Sequence, residues 1–284
     1  MNKKSKLKKV SITFIIIFIV FVVYGLSLII PILWSFMSSF KDPIDFNNNR
    51  TGLPKEWLFS NYPNAFNQLS AQGSNMFIMM LNSIWFSFGG TMLGIISSSL
   101  SAYVIAKYKF RGRNFIYGLS LVTMMLPIVG ALPSQYKVYH ALGILNSPLF
   151  LVTFANGLAF NFVVLYAYFK SLPTAYMEAS FMDGAGHFKT FIYVMLPMAF
   201  TVIGSLFVVA FIGNWNEYMK PLLFLKSYPT LSSGLYLYQQ STMREINIPM
   251  LFAGVFMSIT PTLLLFIIFQ DKIMNLSVGG GLKG

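Results

Sequence analysis

The sequence predicts an all-α polytopic membrane protein with six transmembrane helices and both termini in the cytoplasm. Three observations predict it. Of the 284 residues, 56% are hydrophobic and only 10% are charged, and the mean hydropathy of +0.65 is high for a soluble domain. Six stretches of mostly apolar sequence lack Asp, Glu, Lys and Arg, and each is long enough, at roughly 20 residues, to cross about 30 Å of hydrocarbon as a helix. The basic residues also segregate by loop. Lys3, Lys4, Lys6, Lys8, Lys9, Lys107, Lys109, Arg111, Arg113, Lys170, Lys189, Lys272 and Lys283 fall on one predicted side. Lys41, Arg50, Lys55, Lys137, Lys220, Lys226 and Arg244 fall on the other. The richer side is the cytoplasmic one by the positive-inside rule.

The first stretch, about 10–36, follows the basic "MNKKSKLKK". Its apolar core is too long for a secretory signal and no small-residue cleavage site follows, so it reads as a retained anchor. Residues 37–75 form an external segment rich in Asn, Pro and Gly. Nearly forty residues is long for a plain connector, which suggests a docking surface. The second span, about 76–105, carries Gly90 and Gly94 in GxxxG spacing among many Ser and Ala, the composition of a helix packed closely against others in lipid. Further spans are expected at about 115–133, 148–169, 194–216 and 249–270, followed by a cytoplasmic tail, 271–284. External segments at 134–147 and 217–248 carry Tyr136, Tyr218 and other interfacial residues, with Trp215 at the edge of the second.

The spans exclude several functions. No Asp, Glu, His, Lys or Arg lies within them, which removes the commonest chemistry of ion-coupled transport and leaves open a sodium site built from backbone carbonyls and Asn156 or Asn161. HExxH, CxxC, GxSxG and phosphate-loop motifs are missing, and with them the usual enzyme readings. His140 and His187 sit in different loops on opposite predicted sides and read as surface or packing residues. Cysteine is absent, so there is no thiolate metal site. Loop placement accounts for most of the net charge of +12, leaving little reason to invoke nucleic acid. Such a protein is a conduit whose energy comes from elsewhere.

Between the fourth and fifth spans the chain makes a polar elbow, "MEASFMDGAGHFKTFIYVMLP" (177–197). Pro173 suits the first turn of a helix and Gly184 its C-terminal end, so about eleven residues predict a helix roughly 16 Å long, too short to cross. Pro197 predicts a kink or entry point for the rising helix. The short helix carries Tyr176, Met177, Phe181 and Met182, yet its polar side offers Glu178 and Asp183 rather than Lys or Arg. An anionic leaflet would repel those carboxylates. A protein partner with basic residues explains them better.

The run Glu178-Ala179-Ser180, followed by Asp183-Gly184-Ala185 and, thirteen residues past Gly184, by Leu196-Pro197, resembles the EAA motif of permease subunits of binding-protein-dependent ABC importers. "LPSQYKVYHALGILNSP", "NWNEYMKPLLFL" and the terminal "GGGLKG" extend the resemblance over nearly the whole chain, toward the carbohydrate-uptake branch and the six-span partner of the maltose-type pair. It implies a type I ABC importer permease fold comprising one transmembrane domain, 1–284, with a coupling loop at 171–197. It also implies a second permease subunit, two copies of a cytoplasmic ATP-binding subunit that hold ATP and Mg, an extracytoplasmic solute-binding protein and a carbohydrate solute. This chain itself would bind no cofactor and catalyse no reaction. Carried over by residue, Glu178 would face a basic residue of the ATPase, Gly184 would permit the turn, and Ala179 and Ala185 would stay small at the contact. The tail with Gly279, Gly280 and Gly281 would reach between the ATPase subunits as extended chain. Two departures stand out. Ser180 replaces the motif's Ala, a small-for-small change, and the second proline common after Leu196-Pro197 is missing.

Asn156, Asn161, Asn214, Trp215 and Tyr218 carry amide and aromatic groups that suit a sugar pathway. The residues leave open two other readings: the same architecture importing a polyamine or glycerol phosphate, and a membrane scaffold that transports nothing.

Overall fold

The computed structural model describes residues 12–126, 130–241 and 247–279, with Ser241 and 271–279 as backbone. Helix α1 (Ile12–Ser38) leads into the segment 37–75, which contains α2 (Pro43–Asn48), α3 (Asn61–Gln68) and a hairpin of β1 (Ser70–Ala71) and β2 (Ser74–Asn75). The central helix α4 (Met76–Lys107) follows, then α5 (Arg113–Met125), α6 (Leu132–Ala141), a 3-10 turn (Pro148–Phe154) and α7 (Phe160–Ser171). The elbow holds α8 (Ala175–Met182), α9 (His187–Thr190), a π turn (Phe191–Met195) and α10 (Leu196–Met198). Helices α11 (Phe200–Asn216), α12 (Met219–Phe224), α13 (Leu231–Ser241) and α14 (Ile248–Gly279) complete it.

Three of these helices, α1, α4 and the 248–270 part of α14, are long and apolar enough to cross a membrane, and the bent pair α9–α10 and α11 makes a fourth if taken as one span. Helix α4 starts where the Asn75 side chain accepts the Ile78 N–H (3.0 Å), an N-cap, and runs through the small-residue stripe read from the sequence. That stripe meets α7 and α11: Gly90, Ser98, Ser99 and Ala102 are buried, so the helices approach closely. Phe162, Leu165, Phe169, Met195 and Leu206 pack with Ala102 and Tyr103 into the core next to the elbow. At the other end, Leu69, Met79, Trp215, Leu231 and Met250 form a second core. Helix α1 stays apolar and exposed along most of its length, touching α14 near its C-terminal end through Trp34–Phe252 and Phe36–Phe256 ring contacts at 5.6 and 5.2 Å.

The segment 37–75 is folded rather than strung out. Asn61 donates to the carbonyls of Ser39 (2.8 Å) and Lys41 (2.9 Å), the Trp34 indole donates to Arg50 O (2.7 Å), and α3 packs on α14. Gln72 and Gly73 both take positive φ, the pairing that a two-residue hairpin loop requires.

Several boundaries differ from the sequence expectation. The stretch 148–169 is two pieces, a 3-10 turn and a 12-residue helix, separated by residues 155–159. Tertiary contacts hold it open: Ser98 Oγ donates to Asn156 O (3.3 Å) and Ser120 Oγ to Leu158 O (2.8 Å), partners that free these carbonyls from the helical ladder. Within 115–133, α5 ends at Met125, and residues 127–129 lie outside the described residues. The stretch 194–216 bends by 75° where α10 gives way to α11. Helix α14 continues past 270 to Gly279 instead of yielding to an extended tail at Ser277. Nothing from Thr262 to Val278 breaks a helix, and the glycine run does. Gly280 and Gly281, like the N-terminal lysines and Arg244, lie outside the described residues.

Candidate functional site: the elbow and a polar cavity

Helix α8 is shorter than expected. Pro173 precedes the N-cap, Thr174, and eight helical residues, about 12 Å at 1.5 Å each, lead to Asp183. Its end is a Schellman motif: the Gly184 N–H reaches Phe181 O and the Ala185 N–H reaches Ser180 O, both at 3.0 Å, with Gly184 at φ +81°. Glycine takes that left-handed conformation without the Cβ penalty. Along the helix, Met177 and Ser180 turn inward, while Tyr176, Glu178, Ala179, Met182 and Asp183 are exposed, Met182 at 88%. Neither Glu178 nor Asp183 pairs with Lys or Arg among the described residues. The elbow thus presents an apolar tip flanked by two unneutralised carboxylates.

Three contacts fix the elbow to the neighbouring helices and one stiffens it internally. The Lys107 ammonium, at the end of α4, donates to Leu172 O where the chain enters. Ser180 and Thr190 share a hydrogen bond (2.9 Å) across the turn, and both side chains are buried. His187 Nδ1 meets Tyr108 OH (2.9 Å), which meets Tyr103 OH (3.2 Å), and the Tyr103 ring packs on Phe191 at 4.9 Å. Where the chain leaves, Tyr168 OH of α7 donates to Met198 O.

That last contact lies at the bend. Pro197 has no N–H to offer, and the π turn before it bonds the Leu196 N–H to Phe191 O, so the ladder is already out of register. The bend therefore forms without the second proline. Tyr168→Phe would leave the Met198 carbonyl without that donor, at an expected cost of about 0.6–1.5 kcal/mol. Thermal unfolding of the purified subunit checks this, and an unchanged transition would show that Tyr168 does not hold the bend.

Leu196 is half-buried and Pro197 is exposed at the bend, so these motif residues are joined to α8 through the α9–π-turn segment. Sequence reasoning missed Lys107, Tyr168 and Thr190, and it read His187 as a surface or packing residue. The contacts of Lys107, Tyr168 and His187 join residues thirty or more positions apart, and no local pattern signals them.

A second feature lies between α4, the break at 155–159 and α11. A cavity of about 310 Å³ is lined by Gly90, Thr91, Gly94 and Ser98, by Phe154, Asn156, Ala159 and Asn161, and by Ala210, Gly213 and Asn214. Three of the five expected pathway residues, Asn156, Asn161 and Asn214, meet here. Trp215 does not, since it is buried in the second core with Leu69 and Met79 and its indole donates to Ser258 O (2.9 Å). Tyr218 packs against Tyr236 at 4.9 Å. Both serve packing at the end of the molecule away from the elbow.

The chain matches known proteins along most of its length. The family model described as binding-protein-dependent transport system inner membrane component matches residues 90–270. The chain is 31% identical over 256 residues to the diacetylchitobiose uptake system permease protein NgcG of Streptomyces coelicolor, covering 89% of this chain and 83% of that one. It is 29% identical over 233 residues to the arabinooligosaccharides transport system permease protein AraQ of Bacillus subtilis, covering 81% of each. A chain of a bacterial ABC transporter involved in import of the acidic polysaccharide alginate shares the fold, with a TM-score of 0.77 over 95% of this chain and 99% of that one at 21% identity. Members of this family are non-catalytic, multi-pass components of the cell membrane. The chain belongs to the inner-membrane components of binding-protein-dependent transport systems.

Proposed function

We propose that this chain is a permease subunit of an ATP-driven importer of a sugar or oligosaccharide, coupling ATP hydrolysis by partner subunits to alternating access. The observation that carries the reading is the elbow: a short acidic and apolar helix, exposed at its tip and tied at entry, turn and exit to α4 and α7. A helix held this way transmits displacement to the spans instead of absorbing it. Uptake of sugars by similar permeases supports the choice of solute.

In this reading the chain crosses six times, with the stretch read from the sequence as 115–133 as the third crossing and the broken 148–169 as the fourth. Both termini are cytoplasmic, in keeping with the basic clusters before α1 and after α4. Glu178, Ala179, Ser180, Asp183, Gly184 and Ala185 engage a cytoplasmic ATPase, present in two copies that hold ATP and Mg. Leu196 and Pro197 pass the motion to α11. The second permease subunit covers apolar helix surface that this chain leaves exposed, and a solute-binding protein docks on the folded external segment. Closure of the ATPase pair favours the outward-open state because it binds the two states unequally.

Glu178→Ala removes one of the two carboxylates at the contact and weakens coupling by about 1–3 kcal/mol. Solute-stimulated ATP hydrolysis by the reconstituted complex measures it. Stimulation equal to wild type would take Glu178 out of the mechanism.

A further inference from the structure

From the cavity between α4, the 155–159 break and α11, we infer that this subunit itself contacts the solute, as an uncharged, hydroxyl-bearing unit such as a neutral sugar ring. The inference deepens the importer reading and rests on it. The backbone carries the first argument. Non-helical chain between membrane helices is tolerated where it is buried in protein or borders a water-filled cavity, and residues 155–159 border this one. Close packing shapes the wall. A Cβ on Gly90 would come within 3.0 Å of the Phe154 ring and one on Gly94 within 3.3 Å of Phe154 O, so these glycines let the aromatic ring and the broken chain lie against α4. At Gly213 a Cβ would meet nothing within 4 Å, because that face of α11 looks into open space.

The lining chemistry selects the ligand. Asn214 donates to Thr91 Oγ1 (3.0 Å), which leaves its carbonyl oxygen free to accept. Among the described residues the Asn161 amide has no partner, so it offers both a donor and an acceptor. With the Asn156 side chain, whose Oδ1 also accepts the Leu158 N–H (3.4 Å), the wall supplies several amide groups, partners for vicinal hydroxyls. No acidic or basic residue lines the cavity. The nearby Lys220 ammonium lies over the Phe154 ring, 4.9 Å from its centroid. A volume of about 310 Å³ sits at the small end of ligand pockets, which run from roughly 300 to 1,000 Å³. One sugar unit of a longer chain fits such a space.

The test uses the complete importer, purified through this chain with its partner subunits and rebuilt in lipid vesicles with its binding protein. The probes are labelled neutral mono- and oligosaccharides, diacetylchitobiose among them, with sn-glycerol 3-phosphate as the anionic comparison. Wild type should accumulate a neutral sugar and not the anion. Gly213→Leu fills the cavity from a helix that gains propensity by the change, and should cut uptake at least about tenfold. Asn161→Ala should raise the KM for uptake about two- to tenfold, the loss of one or two hydrogen bonds to a neutral ligand. The amount of assembled complex and its solute-independent ATP hydrolysis are measured alongside, so that uptake is compared per complex. Normal uptake by Gly213→Leu, or preferred uptake of the anion by wild type, overturns the inference while leaving the importer reading intact. Failure of Gly213→Leu to assemble means that a partner subunit fills the cavity, which also overturns it. Wild-type vesicles that accumulate no probe with ATP overturn the importer reading itself.

Discussion

Gly184→Asp abolishes uptake by the assembled importer, while the subunit still inserts and keeps its spans. Two physical terms separate here. The first is backbone strain: Gly184 sits at φ +81°, and a residue with a Cβ in the left-handed region loses roughly 1–2 kcal/mol, less for Asp and Asn than for others. Strain of that size at one exposed turn does not unfold a helical membrane protein. The second is the contact. A Cβ at Gly184 meets no atom of this chain within 4 Å, so a new side chain projects from the exposed tip toward whatever docks there. Aspartate adds bulk and a third carboxylate beside Glu178 and Asp183. Gly184→Asn adds nearly the same bulk with no charge, and Gly184→Ala adds a methyl group. Uptake should fall in the order Ala, Asn, Asp. ATP-driven uptake in membrane vesicles, with the amount of inserted subunit measured alongside, checks the series. Wild-type uptake by the Asp variant would mean that nothing docks at the turn.

Local sequence signals located the elbow because its geometry is local. Gly184 ends α8 through bonds among residues 179–185, so a glycine after a short apolar helix was enough to place the turn. The long helices α1 and α4 were also legible, since uninterrupted apolar sequence specifies its own backbone bonding wherever it lies. The break in 148–169 was not. Hydropathy continues through it, and the carbonyls that leave the ladder are claimed by Ser98 and Ser120 from helices distant in sequence. The same holds for the bend: Pro197 marked its neighbourhood, but its position at Ala199 depends on a π turn and on Tyr168 from α7. Of the pathway residues, the three asparagines could be grouped only once the break brought residues 156 and 161 opposite Asn214. Trp215 and Tyr218 share their chemistry but face other elements.

The Ser180 position shows how a change that looks neutral in sequence acquires a partner in the fold, and it yields the second large effect. Ser180→Ala removes a hydroxyl from a buried pair and leaves Thr190, at 0% exposure, with an unpaired oxygen, costing about 1–3 kcal/mol. Because the pair joins α8 to α9, the loss falls on the elbow's stiffness more than on insertion, and uptake per ATP hydrolysed should drop. Thr190→Val alone should cost a similar amount by leaving Ser180 unpaired. The double variant Ser180→Ala, Thr190→Val removes both polar groups together, so no desolvated hydroxyl remains, and its deficit should be smaller than the sum of the two single deficits. Stability and uptake of the four proteins form a double-mutant cycle. Additive single effects would show that the two hydroxyls do not act as a pair, and the elbow would then owe its rigidity to the Tyr103–Tyr108–His187 chain and to Lys107.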